Sequence, residues 1–299
     1  MFVERHPLAA PAPYADRSWS SAEGLALHAR DYPAADGPAR LPVICIHGLT
    51  RNARDFEDLA PTLAAGGRRV LAVDVRGRGL SAWDPDPRNY HPATYAADVI
   101  ALMDDLGLAR AHFIGSSMGG LVLMAIASMQ RDRVAGVVLN DVGPELGEAG
   151  MARIRGYVGR NDDMRDWRDA ATYARLQNAH ALPHYQGADW DRVARRLFRA
   201  DAAGRPVLDY DPAVALPLKS GAGPSASHLW VLWAGLSGGR PLLALRGETS
   251  DVLTARTFDR MRLSAHRAEF VEVPGVGHAP MLDEPAALDA ILGFMAANP

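Results

Sequence analysis

His112-Phe113-Ile114-Gly115-Ser116-Ser117-Met118-Gly119-Gly120-Leu121-Val122-Leu123-Met124-Ala125-Ile126-Ala127 decides the fold. An apolar run reaches Gly115, the chain reverses through Ser117, and a second apolar run of helical length begins at Leu121. In Gly-x-Ser-x-Gly the outer residues come close as the backbone turns, so a side chain at Gly115 or Gly119 would clash, and the serine is held in sparsely populated backbone space. That strain leaves a hydroxyl exposed at a helix N-terminus, where amide groups and the helix dipole favour developing negative charge. The five-residue pattern is common by chance. A strand before it and a helix after it make it a nucleophile turn, against the plain alternative of a glycine-rich connection with an idle serine.

Outward from that turn, short continuous apolar runs alternate with amphipathic ones. Pro42 to Ile46 and Val134 to Asn140 have the composition of strands buried on both faces of a parallel sheet, and Val70 to Val75, Pro241 to Leu245 and Ala268 to Val273 read as further strands. Trp19 to Tyr32 alternates around Glu23-Gly24 and predicts a hairpin, and residues 1–18 read as an extended arm. Helical spacing is expected over Ala53 to Ala64, over Thr94 to Leu106 with Thr94 as cap, over Ala255 to Leu263, and from Pro285 through Ala297. The alternation stops between Glu145 and Gly235, where helical stretches and loops with balanced charge hold Trp167, Trp190, Trp230 and Trp233. The expected division is a core over 1–144 and 236–299, with an inserted helical cap over 145–235. Strands alternating with helices imply an α/β fold with a doubly wound, mostly parallel sheet and its working loops at the strands' C-terminal ends.

At 299 residues the chain buries enough apolar surface to be stable without disulfides or structural metals. A net charge of −3 argues against a nucleic-acid or membrane-surface partner. Cys45, the single cysteine, lies inside Val43-Ile44-Cys45-Ile46 and reads as a buried strand thiol, and no Cys/His set has zinc spacing. Met1 to Asp16 lacks the apolar core of a signal peptide, and no stretch has the length of a membrane span, so a cytoplasmic enzyme is expected. Oligomeric state cannot be read from the sequence.

Acyl transfer requires a hydroxyl, a base, a group orienting the base, and donors for an oxyanion. Ser117 supplies the hydroxyl; Ser116 lies one residue before the apex. Among ten histidines, His278 stands in a Gly-Val-Gly loop after the last strand, ahead of Ala279-Pro280. Asp251, after the strand that ends at Leu245, completes the chain order Ser, Asp, His, although it is equally placed to cap the following helix. Asp141, after an earlier strand, is the main alternative, and Glu248 a third. The backbone N–H groups of Met118 and Leu49 are placed to form the oxyanion hole. Arg51, Trp167, Trp230 and Trp233 are candidate substrate contacts, with Tyr157, Tyr173 and Met164 also available to an apolar pocket. For Arg51, pairing with Asp55 is the competing role. Arg76 and Arg78 read as structural.

Taken together, His47-Gly48, Asp74-x-Arg76-Gly77-x-Gly79-x-Ser81, Gly115-x-Ser117-Met118-Gly119-Gly120, Gly247-x-x-Ser250-Asp251 and Gly277-His278 resemble the α/β-hydrolase fold superfamily. The resemblance spans nearly all of the chain outside 145–235. It implies an eight-stranded sheet, a Ser117–His278–Asp251 triad and a helical cap inserted after the sixth strand. Leu208-Asp209-Tyr210-Asp211-Pro212 and Leu229-Trp230 resemble a bacterial subgroup of these hydrolases known mainly by its fold. Members with aspartate at the turn, the epoxide hydrolases and haloalkane dehalogenases, are disfavoured because Ser117 cannot form their alkyl-enzyme ester. The expected activity is hydrolysis of small to medium carboxylic esters or lactones, a small-molecule reaction that needs no metal or cofactor. The alternatives are a carbon–carbon bond hydrolase of dienoate ring-cleavage products and a ligand-binding receptor on the same fold.

Overall fold

The computed structural model describes residues 14–160, 163–221 and 223–299. The greater part of the arm expected over 1–18 lies outside the described residues. The expected hairpin is β1 (Ala15–Ser20) and β2 (Ala26–Tyr32), which pair antiparallel. The apolar runs form β3 (Val43–Ile46), β4 (Val70–Asp74), β5 (Ala111–Ser116), β6 (Val134–Asn140), β7 (Leu242–Gly247) and β8 (Ala268–Val273). They make one eight-stranded sheet in the order β1-β2-β4-β3-β5-β6-β7-β8. β2 meets β4 antiparallel, and every pairing from β4 to β8 is parallel. β3, β4, β6 and β7 are buried along their whole length, which is why they read as unbroken apolar runs rather than alternating ones. Cys45 is buried in β3, and desolvation pushes its thiol far above the usual range. Among the described residues no helix is long and apolar enough to cross a membrane.

Helices α1 (Leu59–Ala65), α2 (Pro92–Asp105) and α3 (Met118–Met129) fill the first crossovers. The single helix expected over Ala53–Ala64 is broken into a 3-10 turn at Ala53–Phe56, capped by the Asn52 side chain, followed by α1. The expected cap of α2 is also displaced: the cap is His91, three residues before Thr94, and its side chain accepts from the Ala93 N–H. Between β6 and β7 the chain forms α4 (Glu148–Tyr157), α5 (Trp167–Asn178), α6 (Gly187–Leu197), α7 (Ala215–Lys219) and α8 (Ala226–Ser237). A two-stranded hairpin, Phe198–Ala200 with Pro206–Leu208, joins them; three-residue strands are too short to show a period in sequence. Helices α9 (Ala255–Ser264) and α10 (Pro285–Ala297) close the fold.

Two features of the sheet determine the site. Parallel register sets Ile46 beside Gly115 and Ser116 beside Asn140, so the residues that follow β3, β5 and β6 emerge side by side. The turn after β5 is then made possible by its glycines. A Cβ on Gly115 would stand 2.7 Å from the Gly119 and Gly120 backbone, and one on Gly119 would run into the Ile46 carbonyl oxygen. Neither obstacle is a movable side chain. Gly119→Ala therefore forces β3 and α3 apart, and a loss of at least about 3 kcal/mol in denaturant unfolding is expected.

The loop after β4 is held by one carboxylate. Asp74 Oδ1 accepts from the Ala53 N–H at 2.7 Å, while Oδ2 accepts from the Leu80 N–H at 3.0 Å and meets His28 Nδ1 at 2.7 Å. Gly79 has no room for a Cβ because the Asp74 carboxylate occupies that space. Arg76 is buried and paired with Asp98 and Asp84, the structural part expected of it.

Candidate active site

Ser117 is at the N-terminus of α3 with φ 51° and ψ −116°. An L-residue pays of order 1–3 kcal/mol for such a conformation and holds it only where its surroundings are over-determined. Here the Ser117 N–H donates to Asn140 O at 2.9 Å and the glycines allow the close approach. Ser117 Oγ lies 2.9 Å from His278 Nε2. His278 Nδ1 lies 2.8 Å from Oδ2 of Asp141, the first residue after β6. The serine expected as nucleophile and the histidine expected as base are thus in hydrogen-bond contact.

The carboxylate that meets the histidine is Asp141, not Asp251. Asp141 is wholly buried and held at φ 57°, a left-handed conformation that aspartate tolerates better than most residues. Its Oδ1 accepts from the Gly247 N–H at 3.0 Å and its Oδ2 accepts from Ser250 Oγ at 2.7 Å. Three neighbours, counting His278, therefore orient and stabilise the carboxylate. Asp251 lies four residues beyond β7, where the loop has turned away. It receives two hydrogen bonds from Arg153 of α4, at 2.8 and 2.7 Å, and its carbonyl accepts from the Gly150 N–H. Burial alone would raise the Asp251 pKa, but the Arg153 hydrogen bonds and charge bring it below the usual carboxylate value. The third alternative, Glu248, accepts from the Gly275 N–H at 2.7 Å. What the loop after β7 contributes to the site is the Ser250 hydroxyl. Ser116, the competing hydroxyl, accepts from Asn140 Nδ2 at 3.0 Å, and the same amide donates to Pro280 O at 2.8 Å, tying the histidine loop to β6.

The loop after β3 lies against the nucleophile. A Cβ on Gly48 would stand 3.7 Å from Ser117 Cβ. His47 is fully buried; its Nε2 accepts from the Val75 N–H at 3.0 Å, so Nδ1 carries the proton and donates to Gly48 O at 2.7 Å. In a trans peptide C=O and N–H point opposite ways, so fixing Gly48 O fixes the direction of the Leu49 N–H. Burial pulls the His47 pKa down to about 4, Asp74 and Asp55 opposing and Arg78 reinforcing the shift. An unfolded chain takes up this proton near pH 6.5 and the folded one only near pH 4, so stability falls as pH drops through that window. Between pH 7 and 4.5 we expect wild type to lose about 2 kcal/mol more than His47→Gln in urea unfolding. Equal losses would show that His47 is not held neutral.

A cavity of about 430 Å³ opens over Ser117 and His278. Leu146, Met151, Ile154, Val214, Leu218 and Leu229, all from the segment between β6 and β7, give it an apolar side. Thr50, Arg51, Asp55, Tyr157, Gln177 and Asn178 add polar groups to the lining. Of the four candidate substrate contacts only Arg51 lines it, and Arg51 is paired with Asp55 at 2.7 Å. The tryptophans are elsewhere. Trp167 lies under the Arg195 guanidinium, Trp230 donates to Glu145 at 2.9 Å beneath Arg260, and Trp233 is buried with its indole N–H on Ser264. Their large apolar faces cover helix packing instead of ligand space. Tyr157 and Tyr173 do line the cavity, whereas Met164 packs in the core. Met151 and Leu218 were missed because aliphatic residues on a short helix look the same whether they face a core or a cavity, and Leu146, in the loop before α4, carries no periodicity at all. Among the described residues no group of three or more His, Cys, Asp or Glu is placed to hold a metal ion.

Comparison with known proteins identifies the family. Residues 43–291 match the model of the alpha/beta hydrolase family. The chain is 32% identical over 272 residues to a 3-hydroxybutyrate-oligomer hydrolase of Cupriavidus necator, covering 88% of this chain and 91% of that protein. It is 29% identical over 254 residues to an esterase of Mycobacterium tuberculosis, covering 84% of this chain and 80% of the relative. A crystal structure of an alpha/beta hydrolase from Novosphingobium aromaticivorans is 43% identical, with a TM-score of 0.89 over 95% of this chain and 99% of the other. With a family match over most of its length, a relative above 30% identity and the same eight-stranded sheet, the chain belongs to the alpha/beta hydrolase family.

Proposed function

We propose that this hydrolase cleaves carboxylic esters through an acyl-enzyme formed on Ser117. The observation that carries the reading is the unbroken chain Ser117 Oγ–His278 Nε2–His278 Nδ1–Asp141 Oδ2, with links of 2.9 and 2.8 Å. His278 takes the Ser117 proton as Oγ attacks the carbonyl carbon. Asp141 holds the imidazole in the tautomer that leaves Nε2 as acceptor and stabilises the imidazolium that forms. The N–H groups of Leu49 and Met118 receive the oxyanion. The leaving alcohol takes the proton from His278, and water activated by the same imidazole releases the acid and regenerates Ser117.

The segment 145–235 serves as a cap, since it supplies the apolar wall of the cavity. About 430 Å³ admits an ester of modest size. The similarity to a 3-hydroxybutyrate-oligomer hydrolase suggests short hydroxyacyl oligoesters as substrates, with repeating ester and methyl groups suited to a cavity lined by both polar and apolar side chains. The dienoate reading is disfavoured by Arg51, whose charge is already matched by Asp55.

The test is hydrolysis of p-nitrophenyl esters from acetate to laurate alongside 3-hydroxybutyrate dimer and trimer. Turnover that peaks at short acyl chains and extends to the oligomers is expected. An optimum at laurate would overturn the size argument, and no turnover of any ester would overturn the esterase reading in favour of carbon–carbon cleavage or ligand binding.

A further inference from the structure

Arg78 is fully buried, yet its polar contacts all go to neutral groups. Of the other buried arginines, Arg76 is neutralised by Asp84 and Asp98, Arg196 by Glu57 and Asp58 and Arg246 by Glu272, whereas Arg68 donates to the carbonyls of Leu41, Met295 and Asn298. A buried cation costs stability unless it is paired, and Arg78 differs from Arg68 in that its neutral partners include Leu49 and Met118, the two residues of the proposed oxyanion hole.

Its contacts converge on one place. Nε donates to the Leu49 carbonyl at 2.9 Å, and Nη2 lies 3.7 Å from Met118 Sδ. Nη1 donates to Arg76 O at 2.7 Å and to the Tyr95 hydroxyl at 2.9 Å, while the plane lies 5.5 and 5.0 Å from the Tyr90 and Tyr95 ring centres. Leu49 is thus gripped on both sides: His47 holds the peptide before its Cα through Gly48 O, and Arg78 holds the peptide after it through Leu49 O. With both planes fixed, the Leu49 N–H has one direction. The same guanidinium touches the side chain of Met118, whose N–H is the other donor of the proposed oxyanion hole.

We infer that Arg78 is a positioning residue for that hole, joining its two halves through one planar, three-directional cation. The inference rests on the ester-hydrolysis reading above. Arg78 does not itself line the cavity, so it acts through Leu49 and Met118, and its positive charge lies behind the amides that meet the developing oxyanion. Lysine would keep the charge but has no fork with which to hold a carbonyl, a hydroxyl and a thioether at fixed angles.

Arg78→Met, Arg78→Lys and Tyr95→Phe, each checked by thermal unfolding, would be assayed with p-nitrophenyl butyrate. The inhibition constant of an aryl trifluoromethyl ketone, which adds to Ser117 as a tetrahedral oxyanion, would be compared with that of butyrate. Arg78→Met is expected to lower kcat about 30- to 100-fold with KM changed less than about threefold, and to weaken the ketone by the same factor while butyrate is unaffected. Arg78→Lys is expected to lose about tenfold in kcat despite its charge, and Tyr95→Phe about threefold, again with KM unchanged. Should the arginine variants fail to fold, Tyr95→Phe decides: Tyr95 also borders the cavity, so only a weakening of the ketone with butyrate affinity and KM unchanged supports the role, and a change in KM or butyrate affinity overturns it. Folded variants with kcat and ketone affinity at wild-type level, or a loss confined to KM, would overturn the role. Wild type that neither turns over esters nor binds the ketone would instead overturn the hydrolase reading, and the role of Arg78 with it.

Discussion

Ser117→Ala is expected to lower kcat for p-nitrophenyl butyrate by about 10⁴- to 10⁶-fold, leaving only what the oxyanion hole and binding supply without a nucleophile. The size of the effect follows from the single hydroxyl at the apex. Ser116 is adjacent in sequence but its Oγ accepts from the Asn140 amide, and no histidine is in hydrogen-bond contact with it among the described residues. It is therefore unable to substitute. Folding should not suffer, since alanine is smaller than serine and the Ser117 side chain makes no capping bond to α3. Two measurements check this: steady-state turnover, and covalent labelling by a fluorophosphonate, which should attach to Ser117 in wild type and to nothing in the variant. Residual turnover near wild type would require a different nucleophile.

The second large effect separates two aspartates. Asp141→Asn replaces an acceptor with a group that presents N–H either toward His278 Nδ1 and Ser250 Oγ or toward the Gly247 N–H, so either the imidazole tautomer is wrong or a buried donor is unpaired. A fall in kcat of about 10³- to 10⁴-fold is expected, with KM little changed. Asp251→Asn should leave kcat within about threefold of wild type, because its carboxylate faces Arg153 and not the histidine. Its cost belongs to stability. The Arg153 pair is about one-quarter exposed on each side and ties α4 to the loop after β7, so a loss of about 1 kcal/mol or less is expected on unfolding. The reverse outcome, an inactive Asp251→Asn and an active Asp141→Asn, would restore the acid suggested by chain order.

Strand composition alone marked the sheet. Val43–Ile46, Val70–Asp74 and Val134–Asn140 are buried on both faces, and continuous apolar runs have no other use at that length. The Ser117 turn was equally legible, since the glycines that allow it are dictated by backbone contacts local to the turn and to β3. His278 could be picked from ten histidines by its position after the last strand. Less was visible wherever tertiary placement competes with an equally good local role. Asp141 and Asp251 both follow apolar strands, and each has a plausible local use. The register that sets Asn140 beside Ser116 brings Asp141 to His278, while the turn after Gly247 carries Asp251 off to Arg153. The tryptophans between β6 and β7 are another case: a large aromatic covers a helix interface or a ligand with the same chemistry, and only the packing shows that Trp167, Trp230 and Trp233 do the former. Arg78 carries the same lesson, because nothing in Arg76-Gly77-Arg78 distinguishes the arginine that meets carboxylates from the one that grips Leu49. By itself, then, the sequence determined the fold and singled out Ser117 and His278 as the proposed nucleophile and base, which follow from short-range sterics and strand order. The acid partner, the cavity wall and the bracing of the loop after β3 were decided by the tertiary structure, because they depend on which way side chains point once distant segments have packed.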